Sequence, residues 1–358
     1  VFQDLLRATH RFTAAAVSET LGTFLLCGAV VLTLALDAPL WCTVAACAAI
    51  PLYIGGVAIV IVMATGVHWR LRLGSVHRAD LRRFLVFSGG IFGISTADLV
   101  ISSLDRLIVG AFRSAATLGL YDGASRLNLL MRMWAGNFSV TLLPVLTTLR
   151  ATNQTDGERE MLVVGTRYVL PAVVGPAVTL MVLADRVLDV WLGEAFIAAA
   201  PTAVVFLSFW LIAPNLSIAQ TLLMVERRLR PLAIYAWSAA IVNLVLSVAL
   251  TAWLGLIGVA IGTTVGYLSA LPYFVSVAFT GRGISLAEWA HRVWLPAYGA
   301  GAALALLLLF VRLALPLDHA WSVGLVCGVA VLGYWLAIYA VALTSDERRF
   351  FRGVLKRS

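Results

Sequence analysis

The chain has 358 residues, of which 61% are hydrophobic and 12% charged, with a net charge of +8. Soluble domains run nearer about 45–50% apolar and about 25% charged, so a soluble globular fold is excluded. The surplus arginines fall in separate short connectors and not in one patch, which excludes a nucleic-acid surface and reads as the orientation signal of a membrane protein.

About ten apolar runs, each of a length that crosses a bilayer core, are predicted at 14–36, 41–64, 85–111, 119–149, 162–184, 197–224, 232–253, 255–279, 294–315 and 321–343. The connectors alternate in charge. The segments 1–13, 65–84, 150–161, 225–231, 280–293 and 344–358 hold nineteen of the 26 Lys/Arg, while the intervening connectors carry only Arg113 and Arg186, with Arg312 close by. Basic loops stay in the cytoplasm, so the predicted topology is an all-α, multi-pass protein with both ends of the chain cytoplasmic. The chain opens at Val1 with no Met and runs straight into an Arg-flanked span, which reads as upstream sequence missing.

The first run carries Glu19 about a turn and a half inside its inner boundary, where it either snorkels to the interface or lines a cavity. The link 65–84, TGVHWRLRLGSVHRADLRRF, is the longest basic connector and reads as a hinge lying along the inner headgroups. The third and fourth runs form a hairpin that turns near residue 115. Further on, Asn215 and Asn243 are single polar positions in mid-run, suited to hydrogen bonds between helices. Small-residue spacings at Gly89–Gly93 and Gly258, Gly262 and Gly266 permit close helix contact, within the bundle or at a dimer seam. The cysteines Cys27, Cys42, Cys47 and Cys327 lack metal-ligand spacing and read as inert thiols. All five histidines fall in connectors, which leaves no intramembrane histidine relay.

Charge at membrane depth is costly, at least about 2.5–3.5 kcal/mol per group at a helix centre, so it persists where it is paired or faces water. The hairpin concentrates it: Asp98, Asp105 and Arg106 on one arm, then Asp122, Arg126, Asn128, Arg132 and Asn137 on the other. Counted from the turn at ~1.5 Å per residue, Asp105 falls level with Arg126, and Asp98 with Arg132. Two cross-hairpin ion pairs, Asp105–Arg126 and Asp98–Arg132, are expected. Either they lock the hairpin or they serve a ligand. Arg132 shares a helix face with Ser125 and Asn128, a polar stripe suited to a water-filled cavity in which a cation would meet an anionic headgroup. No phosphate-cradling Gly-rich loop, HExxH or Ser/His/Asp set is present, so neither an ATP-driven pump nor a bound metal or cofactor is expected.

The stretch Ser103-Leu-Asp-Arg-Leu-Ile-Val-Gly110, followed by Leu118-Gly-Leu-Tyr-Asp-Gly-Ala-Ser-Arg126, resembles the polysaccharide-export branch of the multidrug/oligosaccharidyl-lipid/polysaccharide exporter superfamily. Pro144 and the turn Leu254-Gly-Leu-Ile-Gly-Val-Ala260 also fit. The resemblance implies two six-helix lobes around a central cavity, often followed by two more helices. On that plan, 1–64 are the last two helices of the first lobe, 65–84 is the cytoplasmic link, 85–279 is the second lobe, and 280–358 are two additional helices and a basic tail. It further implies a bacterial cytoplasmic-membrane flippase, not an enzyme, that moves undecaprenyl-diphosphate-linked oligosaccharide (an O-antigen, capsule or exopolysaccharide repeat unit) by alternating access. Its partners would be that lipid-linked oligosaccharide, membrane lipids and polysaccharide polymerase machinery, with no nucleic acid. Arg132, Arg126, Asn128, Ser125 and Asn137 are the candidate cavity residues. Asp98, Asp105, Arg106 and Glu19 are the candidates for ion pairing or coupling. A lipid II flippase and a cation-coupled drug exporter remain open within the superfamily. A membrane-embedded polymerase or ligase is a more remote alternative, because the longest outer connector, 185–196, is short for a catalytic loop.

Overall fold

A computed structural model describes residues 2, 5–6, 9, 11–64, 77–151, 155–279 and 282–341. Most of the expected hinge at 65–84 and the basic tail at 344–358 lie outside the described residues. Two compact units divide the chain, Val1–Arg78 and Ala79–Ser358.

In the first unit, α1 (Phe12–Ala35) packs on α3 (Ile50–Ala64) after the short α2 (Leu40–Ala48). Gly22 lets the two approach closely: a Cβ there would fall 2.8 Å from Ile54 Cα. α2 and α3 are bent by 45°, so the expected run 41–64 is not straight. Pro51 in the first turn of α3 has no amide to donate back across the bend.

The second unit begins with α4 (Arg78–Phe112) and α5 (Ala115–Ala151), of 35 and 37 residues. At ~1.5 Å per residue both exceed the bilayer core. Next come α6 (Thr155–Val182), α7 (Ala184–Leu192), a 3₁₀ turn (Glu194–Ala199), α8 (Ala200–Ser208), a second 3₁₀ turn (Phe209–Leu211) and α9 (Pro214–Val225). α10 (Leu229–Leu254), α11 (Leu256–Ser269) and α12 (Leu271–Phe279) come after these. An accessory pair follows: α13 (Leu286–Trp289), a π-helical turn (Ala290–Trp294) and α14 (Leu295–Ala314), then α15 (Ala320–Val341).

α6 is the axis of this unit. Val169, Val173 and Ala177 join a buried cluster with Leu127 and Met131 of α5, Ile218 and Leu222 of α9, and Phe274 of α12. Leu170 and Val174 join a second cluster with Val293, Ala297, Leu304 and Tyr334 of the accessory pair. Pro171 and Pro176 lie inside α6. Pro176 has no amide to give the carbonyl of Ala172, and Trp134 Nε1 supplies the missing donor at 3.0 Å.

α10 and α11 form a tight antiparallel pair. A Cβ on Gly262 or Gly266 would sit 2.7 Å from Ser247 N or Ala239 O, and one on Gly258 would strike the backbone of Leu250. The glycine spacing therefore serves packing within the chain. Gly89 and Gly93 differ: a Cβ at either meets nothing within 4 Å among the described residues.

Among the described residues, eight helices are long and apolar enough to cross a membrane, or nine if the bent α2–α3 pair counts as one span. α5, which carries Asp122, Arg126 and Arg132, is not among them. The chain is all-α and multi-pass, as its composition and periodicity predict. The expected run 197–224 is also not continuous: it is α8, a 3₁₀ break and α9.

Candidate functional site

The charged arms of the α4–α5 hairpin face two cavities inside the second unit, of about 450 and 440 Å³. The first lies toward the 113–114 turn, lined by Ser102, Arg106, Asp122, Ser125, Arg126 and Asn128 together with α11 residues. The second lies toward the other end, lined by Ile94, Asp98, Ala135, Ser217, Gln220 and Tyr235 among others. Arg132, Phe209, Trp210 and Tyr267 line both, and so form the waist between them.

Depth counting placed Asp98 level with Arg132, and the two do meet. Arg132 Nη1 lies 4.0 Å from Asp98 Oδ2, with both side chains about half exposed. Tyr267 ties the pair across to α11: its hydroxyl donates to Asp98 Oδ1 at 2.9 Å and accepts from Arg132 Nη2 at 3.5 Å.

The other expected pair, Asp105–Arg126, does not form. Asp105 is only 2% exposed and turns toward α10 and α11, where it accepts from Asn243 Nδ2 at 3.2 Å, Thr263 Oγ1 at 2.6 Å and Tyr121 Oη at 3.3 Å. Three neutral donors satisfy the buried carboxylate. Arg106 instead pairs with Asp122, Nε to Oδ1 at 3.2 Å. Arg126 is left exposed at the first cavity with no ion pair among the described residues.

The remaining candidates separate. Asn128 Oδ1 accepts from Trp210 Nε1 at 2.7 Å, leaving its amide nitrogen for the cavity. Ser125 spends its hydroxyl proton on the carbonyl of Asp122 at 2.9 Å. Asn137 is exposed and lines neither cavity. Glu19 is exposed on α1 of the first unit. Sequence reasoning missed the waist aromatics Phe209, Trp210 and Tyr267, as well as the Asp105 partners on α10 and α11. The polar stripe Asn243, Ser247 and Thr251, every fourth residue of α10, was the available signal for a buried acid opposite it.

The long apolar helices of the second unit, packed around two charged cavities, define an all-α, multi-pass membrane protein. The chain belongs to the polysaccharide biosynthesis protein family, whose model matches residues 2–201. Its fold is similar to that of the lipid II flippase MurJ in an inward closed conformation, with a TM-score of 0.66 at 13% identity over 95% of this chain and 70% of that one. Family and neighbour both fall in the multidrug/oligosaccharidyl-lipid/polysaccharide exporter superfamily, as the residues of the hairpin led one to expect. No curated protein sequence matches the chain.

Proposed function

We propose that the protein is a flippase for a lipid-linked oligosaccharide, of the undecaprenyl-diphosphate-linked kind used for O-antigen, capsule or exopolysaccharide, and that it works by alternating access without covalent chemistry. The observation that carries this reading is the pair of cation-bearing cavities in the lobe of a polysaccharide biosynthesis family member. Arg126, with no counter-ion among the described residues, and Arg132 at the waist supply the charge that a diphosphate needs. Asn128, Ser125 and the waist aromatics offer hydrogen bonds and ring faces to sugars. Asp98, paired to Arg132, is placed to release that arginine when an anion arrives.

The proposal extends to organisation. Residues 1–64 would contribute to one lobe, 65–84 would be the cytoplasmic link, 85–279 would be the other lobe, and 280–358 the accessory helices and tail, in a bacterial cytoplasmic membrane with both ends cytoplasmic. The fold likeness to a lipid II flippase favours a second cargo, lipid II. The two cargoes share the polyprenyl diphosphate and differ in the sugar.

The test is surface polysaccharide in a host lacking its own oligosaccharide flippase, with membrane level held equal. The protein should restore it. Arg132→Ala should reduce it about tenfold or more, since a hydrogen bond to a charged group is worth ~1.5–3 kcal/mol. Rescue of a host depleted of its lipid II flippase, with no restored surface polysaccharide, would move the cargo to lipid II. Rescue of neither would reject the reading.

A further inference from the structure

We propose that Tyr298, on the accessory helix α14, is a positioning residue for the cargo path: it holds the break between α8 and α9 that sets Phe209 and Trp210 at the waist. The inference rests on the reading that the two cavities carry the cargo.

The break has a definite cause. Pro214 has no amide for the carbonyl of Trp210, and the chain tightens into 3₁₀ turns at Phe209–Leu211. The amide of Asn215 bonds to Ile212 O at 3.0 Å and not to Leu211 O, four residues back. The Leu211 carbonyl would then be an orphan in an apolar surrounding, which is costly at membrane depth. Tyr298 Oη donates to it at 2.5 Å.

The same hydroxyl accepts from Asn215 Nδ2 at 3.0 Å, and that amide also donates to Ile212 O at 3.1 Å. Asn215 Oδ1 accepts from Trp294 Nε1 at 2.9 Å and from Trp289 Nε1 at 3.4 Å. Both donors and both acceptor positions of the amide are thus used. Tyr298 both gives and takes a bond, so neither side chain can turn without stranding a partner. On the opposite side of the break, Phe209 lies 4.8 Å from the Tyr267 ring and Trp210 donates to Asn128. The break is therefore held by the accessory pair on one side and presents its aromatics to both cavities on the other.

The experiment uses the protein in its membrane with Cys27, Cys42, Cys47 and Cys327 replaced, and with one reporter at a time: Ser102→Cys in the first cavity or Ser217→Cys in the second. N-ethylmaleimide labelling rates are read with and without Tyr298→Phe, which keeps the packed ring. The control is Tyr334→Phe, which removes a comparable hydroxyl bond within the accessory pair, Tyr334 Oη to Ala297 O at 3.0 Å, but does not touch the break.

Tyr298→Phe should change labelling at one or both reporters by about two- to tenfold, the fold-change one neutral hydrogen bond is worth, and Tyr334→Phe should leave both unchanged. No change with Tyr298→Phe, or the same change with Tyr334→Phe, overturns the proposal. Labelling needs no cargo, so the result stands apart from the transport test. A shift in labelling in a protein that moves no lipid-linked sugar would keep the positioning role and reject the cargo reading.

Discussion

Three donors converge on the Asp105 carboxylate, from Tyr121, Asn243 and Thr263. Removing the acceptor strands them in buried positions at the wall of the first cavity, at roughly 1–3 kcal/mol for an unsatisfied buried group. Asp105→Ala should therefore lower thermal stability in detergent clearly, and Asp105→Asn by less, because the amide oxygen still accepts. Equal losses would assign the effect to charge and not to hydrogen bonding. The exposed Arg106–Asp122 pair should show a coupling of only about 0–1 kcal/mol in a double-mutant cycle. How far these residues were legible beforehand follows from what depth counting measures. It gives height along a helix, and height alone paired Asp98 with Arg132 correctly. It does not give rotation about the axis, and rotation sends Asp105 toward Asn243 and Thr263 instead of Arg126. The neutral partners Asn243 on α10 and Thr263 on α11 lay in another hairpin, invisible to an argument confined to one.

At the scale of elements, helix ends matter as much as faces. The guanidinium of Arg113, in the turn between α4 and α5, donates to the carbonyls of Thr251 and Ala252 at 2.7 and 3.3 Å, in the last turn of α10. A cation at a helix C-terminus satisfies orphan carbonyls and favours the dipole. Arg113→Ala should cost about 1 kcal/mol, read as faster hydrogen exchange at the end of α10; unchanged protection there would refute the cap. The run 197–224 was read as one span because its apolar content is unbroken, and hydropathy does not record where a backbone donor is missing. Pro214 was the only local mark of the break. The side chains that make it tolerable, Asn215 and Tyr298, are 83 positions apart, beyond any local pattern.

Across the second unit as a whole, the accessory pair is fastened at both ends. At one end, Arg159 of α6 meets Glu288 at 2.7 Å, and Arg292 reaches Glu288 at 3.0 Å and Glu160 at 3.8 Å. At the other, Arg312 bonds to Asp185 at 2.7 Å and to the Val182 carbonyl at 3.0 Å, while Arg186 reaches Asp318 at 3.6 Å. The buried cluster on Leu170 and Val174 lies between the two clamps. Asp185→Arg should lower the melting temperature, and adding Arg312→Asp should recover part of it. No recovery would show that these ions do not hold the pair to the lobe.

The close seam of α10 and α11 has a consequence for inheritance. At Gly258, Gly262 and Gly266 a hydrogen is the whole side chain, and any coding change adds at least one carbon. That carbon would strike backbone atoms of the facing helix, which have no rotamer by which to move aside. In a saturation library selected for correctly folded protein, these three positions should be nearly invariant, while Gly89 and Gly93, where an added Cβ meets nothing within 4 Å among the described residues, should accept alanine freely. The three positions are dead ends for sequence drift: the rest of α10 and α11 can wander only around them.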